Sequence, residues 1–276
     1  MYKKEGLNQK VIIAFQNIIY SYFKQYGREF PFRRNINPYN VLISEMMLQQ
    51  TQTNRVSEKF QNFIQEFPDF QSLAKAPLND VLKVWQGLGY NRRAVALKNI
   101  AEKVVNELDG ILPADVEILK SFPQIGHNTA SSIVAFAFNM PTYFIEVNIR
   151  RVYIYFFFPG KSSIGDKNIM PIVRKTLDHS NVRKWYYALM DYGVMLKKTH
   201  PELNKRSAHY RKQSKFKGSN REIRGKILKL LIASNALTEV EILRELKIDS
   251  KKLKENLDLL MKEGFIKQEN NRFSIT

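Results

Sequence analysis

Hydrophobic residues recur at helical spacing along most of this chain. Val11, Phe15 and Ile18, for example, lie three or four residues apart and would form one apolar stripe on a helix. Short turns that contain proline or glycine, such as the one at Pro68, separate these stripes. No strand-like alternation of apolar and polar residues occurs before residue 264. The pattern therefore predicts an all-α main body.

The residues after Gly218 predict three helices and a β-hairpin. The first helix spans about residues 221–233, the second begins at Thr238, and the third begins near Asp249 or Ser250. The last residues alternate about an Asn-Asn turn, which is typical of a hairpin. This order is typical of a winged-helix domain, which is either a DNA reader or a module for packing or dimerisation. The predicted third helix carries the basic residues Lys251, Lys252 and Lys254.

The charge of the chain favours a polyanionic partner. Its 276 residues include 44 Lys and Arg but only 26 Asp and Glu, which gives a formal net charge of +18 and a pI near 9.8. Such a charge favours nucleic acid, because each neutralised phosphate releases counterions. Basic residues are dense between 196 and 217. We therefore expect a helical domain over 1–195, a basic connector over 196–218 and a winged-helix-like domain over 219–276.

Missing residue types exclude several kinds of site. The sequence has no cysteine, so it can form neither a disulfide nor a cysteine-ligated zinc site or iron–sulfur cluster. Its four histidines lack metal-ligand spacing, and we expect no metal and no other cofactor. No secretory signal is visible, and the most apolar stretch, residues 133–145, is too short to span a bilayer. We expect a cytoplasmic protein, associated with the nucleoid if the source is prokaryotic, with no membrane partner.

The strongest local motif is Phe-Pro-Gln-Ile-Gly-His-Asn-Thr-Ala at residues 122–130. Apolar helices are predicted on both sides, so the motif predicts two helices joined by a tight turn. Such a turn exposes backbone N–H groups at the start of the second helix, which can bind phosphate without a charged side chain. We expect Ile125, Gly126 and Thr129 to contact a nucleic-acid backbone. The alternative is an ordinary corner between two packed helices.

Five segments resemble the A/G-mismatch adenine DNA glycosylases of the helix-hairpin-helix (HhH-GPD) superfamily. They follow one another in the family order, and the resemblance extends over about residues 9–198. The resemblance implies two helical subdomains with the active site in the cleft between them. The Gln-Gln-Thr sequence is the feature that favours the adenine branch. The segments are 42–53, 85–90, 122–130, 144–152 and 189–193.

The chain departs from that family at several places. No cysteine follows Gly193, so the family's iron–sulfur cluster is expected to be absent, and the basic connector is a candidate to replace its DNA contact. Glu146 stands where the family has an aspartate, and Gln124 replaces the first glycine of the hairpin. The C-terminal domain does not resemble the family's 8-oxoguanine-reading domain. In the connector we expect the DNA backbone to be bound by Arg211, Lys212 and Lys215.

Two glutamates could divide the chemistry of base excision. Breaking an N-glycosidic bond requires a proton for the leaving base and a negative charge near the sugar, which gains oxocarbenium character. Glu45 lies in an apolar helix, where burial would raise its pKa and suit it to protonate adenine N7. Glu146 precedes Arg150 and Arg151, which suits the ionised role. For either glutamate alone, the alternative is a helix cap or an ion-pair partner.

The resemblance also implies residues that recognise the base. The target base must leave the stack of the duplex. Gln49, Gln50 and Tyr90 would fill the gap and contact the orphan base. The alternatives are a pair of surface glutamines and a core tyrosine. Phe32 lies where the family has a pocket tryptophan, with a core aromatic as the equal alternative. Asn128 stands where bifunctional relatives have the lysine that forms a Schiff base, so no efficient lyase step is expected. Asn128 itself would contact the flipped base or cap its helix. The matched segments add Asn148 and Asp191 as recognition residues.

We therefore expect a monomeric, monofunctional DNA glycosylase that removes adenine mispaired with guanine or 8-oxoguanine from double-stranded DNA. One alternative is a thymine or uracil mismatch glycosylase on the same scaffold, which would not need an acid directed at purine N7. The other is a non-catalytic DNA-binding protein on an inactive glycosylase scaffold, with the winged helix as its DNA reader.

Overall fold

The computed structural model describes residues 6–211 and 216–276, and helices dominate both ranges. The predicted all-α class is confirmed for the main body. In these two ranges no helix is both long enough and apolar enough to span a membrane. Lys212 and Lys215, two of the predicted DNA contacts, lie outside the described residues. The helices up to residue 211 are α1 (Gln9–Tyr26), α2 (Pro31–Arg34), α3 (Pro38–Leu48), α4 (Thr53–Glu66), α5 (Phe70–Lys75), α6 (Leu78–Trp85), α7 (Arg92–Glu107), α8 (Val116–Lys120), α9 (His127–Phe138), α10 (Val147–Phe157), α11 (Asp166–Thr176), α12 (Val182–Thr199) and the 3-10 helix Pro201–Arg206.

Polar side chains fix where several of these helices begin. Asp69 and Ser72 form a reciprocal capping box at α5, in which Asp69 Oδ1 accepts from the Ser72 N–H at 2.7 Å and the Ser72 hydroxyl accepts from the Asp69 N–H at 3.2 Å. Asp115 caps α8 by accepting from two backbone N–H groups of its first turn. Such caps satisfy donors that have no partner inside the helix.

The C-terminal residues form three helices and a small antiparallel sheet. The predicted helix starts are confirmed, because Thr238 caps the second helix and Asp249 caps the third. Asn270 and Asn271 have φ values of 49° and 59°, the left-handed conformation that a two-residue hairpin turn requires. The elements are α13 (Asn220–Ser234), β1 (Ala236–Thr238), α14 (Glu239–Leu246), α15 (Ser250–Lys262), β2 (Ile266–Glu269) and β3 (Arg272–Ile275).

One strand in this region escaped the sequence pattern. Strand β1 pairs with β3 through Leu237 and Phe273, which gives the strand order β1-β3-β2. The sequence pattern did not predict this strand, since three residues are too few to show an alternating pattern. The elements are those that a winged helix requires. The assignment itself, and a DNA-binding role for α15, stay predictions.

The described residues divide into two compact units. The first contains residues 6–45, 114–121 and 125–211, and the second contains residues 46–113, 122–124 and 216–276. The domain boundaries expected at residues 195 and 218 stay predictions.

Aromatic residues fill the core of the first unit. The ring of Phe15 lies 5.6 Å from that of Tyr153 and 5.6 Å from that of Trp185, measured between centroids. Helices α10 and α12 approach each other at Gly193, where an added Cβ would lie 2.4 Å from the carbonyl oxygen of Asn148. Only glycine therefore permits this approach, which fixes the start of α10.

The core of the second unit centres on Trp85 at the end of α6. Its side chain is fully buried, and its ring lies edge-on to Phe63 with centroids 5.9 Å apart. Its Nε1 donates to the carbonyl of Gly89 at 3.1 Å. This bond fixes a tight turn in which Gly87 and Gly89 have φ values of 92° and 69°.

Candidate active site

Glu45 lies near the end of α3 and has the environment of a general acid. Burial raises the pKa of Glu45 to about 7, and the negative charge of Glu146 adds to this rise. Two groups oppose it: the Ser132 hydroxyl, which donates to Glu45 Oε2 at 2.5 Å, and the positive charge of Arg33. A carboxyl group with a pKa near neutrality can hold and release a proton at physiological pH.

Glu146 is the N-cap of α10, so the cap alternative is confirmed for this residue. Its Oε1 accepts from the backbone N–H groups of Asn148 at 2.7 Å and Ile149 at 2.8 Å. Its Oε2 accepts from the Asn148 side-chain amide at 3.1 Å. Burial raises the pKa of Glu146, whereas the backbone donors and the charges of Arg151 and Arg150 lower it. These donors favour the ionised form, so capping and the proposed electrostatic role are compatible.

Asp191 is buried and ion-paired with two arginines. Its Oδ1 accepts from Arg28 Nη2 at 2.7 Å, and its Oδ2 accepts from Arg33 Nη1 at 3.0 Å. The Arg33 guanidinium lies over the Tyr187 ring, 4.3 Å from its centroid. Asp191 thus orients the cation that lowers the pKa of Glu45. Contact of Asp191 with an extruded base stays a prediction.

Asn128 connects the start of α9 to the residues before Glu146. Its Nδ2 donates to the carbonyl of Ile145 at 3.0 Å. Asn128 is the second residue of α9, and the N-cap is Gly126, so the expectation that Asn128 caps this helix was wrong. Its contact with a flipped base stays a prediction.

The predicted hairpin turn is present between α8 and α9. No side chain caps α9 at Gly126, and an added Cβ on this exposed glycine would meet nothing within 4 Å. An uncapped helix start leaves backbone N–H groups for an anion. Gln124 adopts the left-handed φ of 62° in place of the family's glycine. The Ile125 side chain is buried, so a DNA contact there or at Thr129 would use the backbone, and it stays a prediction.

Arg93 joins two predicted DNA-contacting segments of the second unit. Its Nη1 donates to the carbonyls of Met47 at 2.7 Å, in the last turn of α3, and Gln49 at 2.6 Å, just past the end of that helix. Its Nη2 donates to the carbonyl of Gly89 at 2.9 Å. Burial lowers the pKa of Arg93 to about 10, which leaves it a cation that complements the carboxyl end of α3.

The predicted intercalating residues lie on these two joined segments. Gln50 and Tyr90 have φ values of 55° and 49°, a conformation that non-glycine residues rarely adopt. Gln49 Nε2 donates to the carbonyl of Gln124 in the hairpin turn at 3.1 Å. Tyr90 is partly exposed, and its ring centroid lies 5.5 Å from the Arg93 guanidinium. Their contacts with DNA stay predictions.

Three other predicted site residues have structural contacts in the first unit. Phe32 is buried and stacks on Phe30 with centroids 5.0 Å apart, as a core aromatic does. Asn148 accepts from Arg151 Nη1 at 2.8 Å. Arg211 is exposed and lines a surface cavity.

The residues after α12 do not fit an iron–sulfur cluster. They provide no thiolate, and Asn204 in the 3-10 helix accepts from Arg151 Nη2 at 2.9 Å instead. Leu203 of the same helix is buried. Across residues 6–211 and 216–276, no cluster of His, Asp or Glu could hold a metal ion.

Sequence reasoning missed Ser132, Arg33 and Arg93. Ser132 lies four residues beyond Asn128, just after the matched hairpin segment 122–130, and its position on an apolar helix was the available signal. The two arginines carried no local signal, because the partners that place them here, Asp191 for Arg33 and Met47 for Arg93, lie far away along the chain.

Comparison with known proteins places this site in a family. The model of the HhH-GPD superfamily base excision DNA repair protein matches residues 43–177, which include Glu45, Tyr90, Asn128 and Glu146. Residues 43–177 thus form an HhH-GPD domain. The resemblance predicted from the motifs is thereby confirmed.

Curated relatives of this chain are named adenine DNA glycosylases. The chain is 33% identical over 200 residues to that of Buchnera aphidicola subsp. Baizongia pistaciae, a match that covers 70% of this chain and 56% of the relative. It is 37% identical over 150 residues to the human protein, covering 51% and 28%. It is 27% identical over 274 residues to the protein of Mycolicibacterium smegmatis, covering 92% and 94%. The chain thus spans about half or less of the first two relatives' length.

Solved structures confirm the glycosylase fold. A thermostable thymine-DNA glycosylase superposes with a TM-score of 0.61 at 22% identity, covering 71% of this chain and 95% of that one. Endonuclease III in a non-covalent DNA complex superposes with a TM-score of 0.57 at 16% identity, covering 67% and 86%. At such identities the likeness establishes the fold alone.

Proposed function

We propose that this chain is a monofunctional DNA glycosylase that hydrolyses the N-glycosidic bond of adenine mispaired with guanine or 8-oxoguanine. The observation that carries the proposal is Glu45, a carboxyl group with a pKa raised to about 7 in the segment that matches the family. Purine N7 needs a proton donor of this kind, whereas a pyrimidine glycosylase does not. The names of the curated relatives support the same substrate. The net charge of +18 supports duplex DNA as the partner.

In the proposed reaction Glu45 donates its proton to adenine N7 while the bond between C1′ and N9 breaks. The bonding electron pair stays with the base, and the sugar gains positive charge. Ionised Glu146 stabilises that charge. A water molecule then adds to C1′ and releases a proton, so the products are free adenine and an abasic site. Because Asn128 is not an amine that can form a Schiff base, the strand remains intact.

A panel of duplexes tests this function. Purified protein is incubated with adenine opposite guanine, 8-oxoguanine or cytosine, and with thymine or uracil opposite guanine, before treatment with or without alkali. We expect adenine release opposite guanine or 8-oxoguanine, strand breaks only after alkali, and no covalent complex with borohydride. Thymine or uracil release would establish the pyrimidine alternative. Tight duplex binding without release of any base would establish the non-catalytic one.

A further inference from the structure

The C-terminal residues contact Tyr90. We propose that residues 216–276, called here the C-terminal segment, position Tyr90 for insertion into DNA, with Arg221 as the positioning residue. The inference rests on the proposed function only for the role of Tyr90 as the inserted wedge. In this proposal the C-terminal segment orients Tyr90, in addition to any contact that α15 makes with a DNA groove.

The contact with Tyr90 is direct. Arg221, in the first turn of α13, donates from Nη1 to the Tyr90 hydroxyl at 2.8 Å. Its guanidinium carbon lies 5.9 Å from the ring centroid, and that of Arg93 lies 5.5 Å from it. Two cations and one hydrogen bond therefore restrict the orientation of this ring.

A second contact holds the residues that follow Tyr90. Arg92, the first residue of α7, donates from Nε to Glu263 at 2.8 Å and from Nη2 at 2.5 Å. Arg224 of α13 also donates to Glu263, from Nη1 at 2.9 Å. The two arginines hold the pKa of Glu263 at about 2, so it stays ionised at neutral pH. The C-terminal segment thus fixes the start of α7, two residues beyond Tyr90, as well as the ring itself.

Such fixation matters for a wedge. A side chain that becomes ordered only on binding loses rotamer freedom at that moment, and this cost weakens the bound state. Tyr90 also has a φ of 49°, a conformation that persists only where the surroundings determine it. Arg221 and Glu263 supply surroundings of this kind from a distant part of the sequence.

The first test needs no DNA and no activity. Hydrogen exchange of the amides of residues 86–93 is measured in Arg221→Ala, Tyr90→Phe and the double variant, with Lys229→Ala, on the exposed side of the same helix, as control. We expect the exchange rate to rise at least about threefold in Arg221→Ala. Adding Arg221→Ala to Tyr90→Phe should raise it clearly less, because Tyr90→Phe has already removed the hydrogen bond. Wild-type exchange in Arg221→Ala, or fully additive changes, would overturn the proposal.

The second test uses single-turnover excision on a substrate that the wild-type protein cleaves. We expect Arg221→Ala to lower the rate about tenfold while duplex affinity changes less than threefold, Arg221→Lys to recover part of the rate, and Lys229→Ala to match wild type. If Arg221→Ala left the excision rate unchanged but reduced the slope of log duplex affinity against log salt by about 0.9, Arg221 would be a phosphate contact. That result would refute the positioning role. If the wild-type protein releases no base, the proposed function fails, while the exchange experiment still decides the contact.

Discussion

Glu45 and Glu146 are the same residue type in two different surroundings. Glu45 is partly buried beside one hydroxyl donor, whereas Glu146 accepts two backbone N–H groups and one amide N–H. Burial raises both pKa values, but only Glu146 has several donors that stabilise its charge. This difference supports the prediction that Glu45 is the acid and that Glu146 is the ionised group.

The acid role makes Glu45→Gln a sharp test. Glutamine keeps the shape and the contact with Ser132 but cannot donate an acidic proton. We expect the single-turnover rate of base release to fall at least about a hundredfold. Duplex affinity, measured by anisotropy, should stay nearly unchanged and serves as the control for folding. A rate close to wild type would refute the assignment.

The raised pKa of Glu45 also sets a pH dependence. The acid must be protonated, so kcat/KM should fall as the pH rises through about 7. The Ser132 hydroxyl lowers this pKa, so Ser132→Ala should move the fall to higher pH. The profile is measured at constant ionic strength between pH 5.5 and about pH 9. A rate independent of pH across this range would contradict the role.

The two roles of Glu146, capping α10 and supplying charge, can be separated. Serine caps a helix but carries no charge, alanine does neither, and aspartate does both. We expect Glu146→Asp to keep measurable activity, and Glu146→Ser and Glu146→Ala to be inactive. Glu146→Ala should also lose about 1 kcal/mol of stability in urea unfolding. Activity in the serine variant would reduce Glu146 to a cap.

At the scale of elements, helix starts were predictable and the cation contacts were not. Thr238 and Asp249 were identified because a cap bonds to residues within three positions of itself. Arg93 contacts Met47, 46 residues away, and Arg221 contacts Tyr90, 131 residues away. No local pattern marks such pairs, because the fold and not the spacing brings them together.

The packing of α10 on α12 gives an element-scale prediction. Gly193→Ala would place a Cβ 2.4 Å from a backbone oxygen of Asn148, which cannot move aside as a side chain can. We expect a loss of about 1–3 kcal/mol in urea unfolding, together with reduced excision, because α10 carries Glu146. Gly225→Ala is the matched control. Its Cβ would meet nothing within 4 Å in α13, so it should stabilise by up to about 1 kcal/mol. Equal effects of the two variants would contradict this packing argument.

At the scale of the whole molecule, the chain has a large excess of positive charge. It has no cysteine that could bind an iron–sulfur cluster. After α12 the chain forms a 3-10 helix, in which Asn204 accepts a hydrogen bond from Arg151. This hydrogen bond accounts for the local structure after α12 but not for DNA binding. The basic residues that follow remain the candidates for that grip, as the sequence predicts.

Charge reversal in the connector tests that grip. Replacing Arg211, Lys212 and Lys215 with Glu should weaken binding to any duplex and flatten the plot of log affinity against log salt by up to about three units, because each lost phosphate contact contributes about 0.9. The single-turnover rate at saturating enzyme should change much less, since phosphate contacts position the duplex but do not take part in bond breaking. Reversing the exposed Lys10 and Lys24 on α1 is the control, and we expect a smaller change in slope per residue. An unchanged slope in the connector variant would make these residues a solvated linker, and the DNA-backbone contacts would then have to come from elsewhere in the chain.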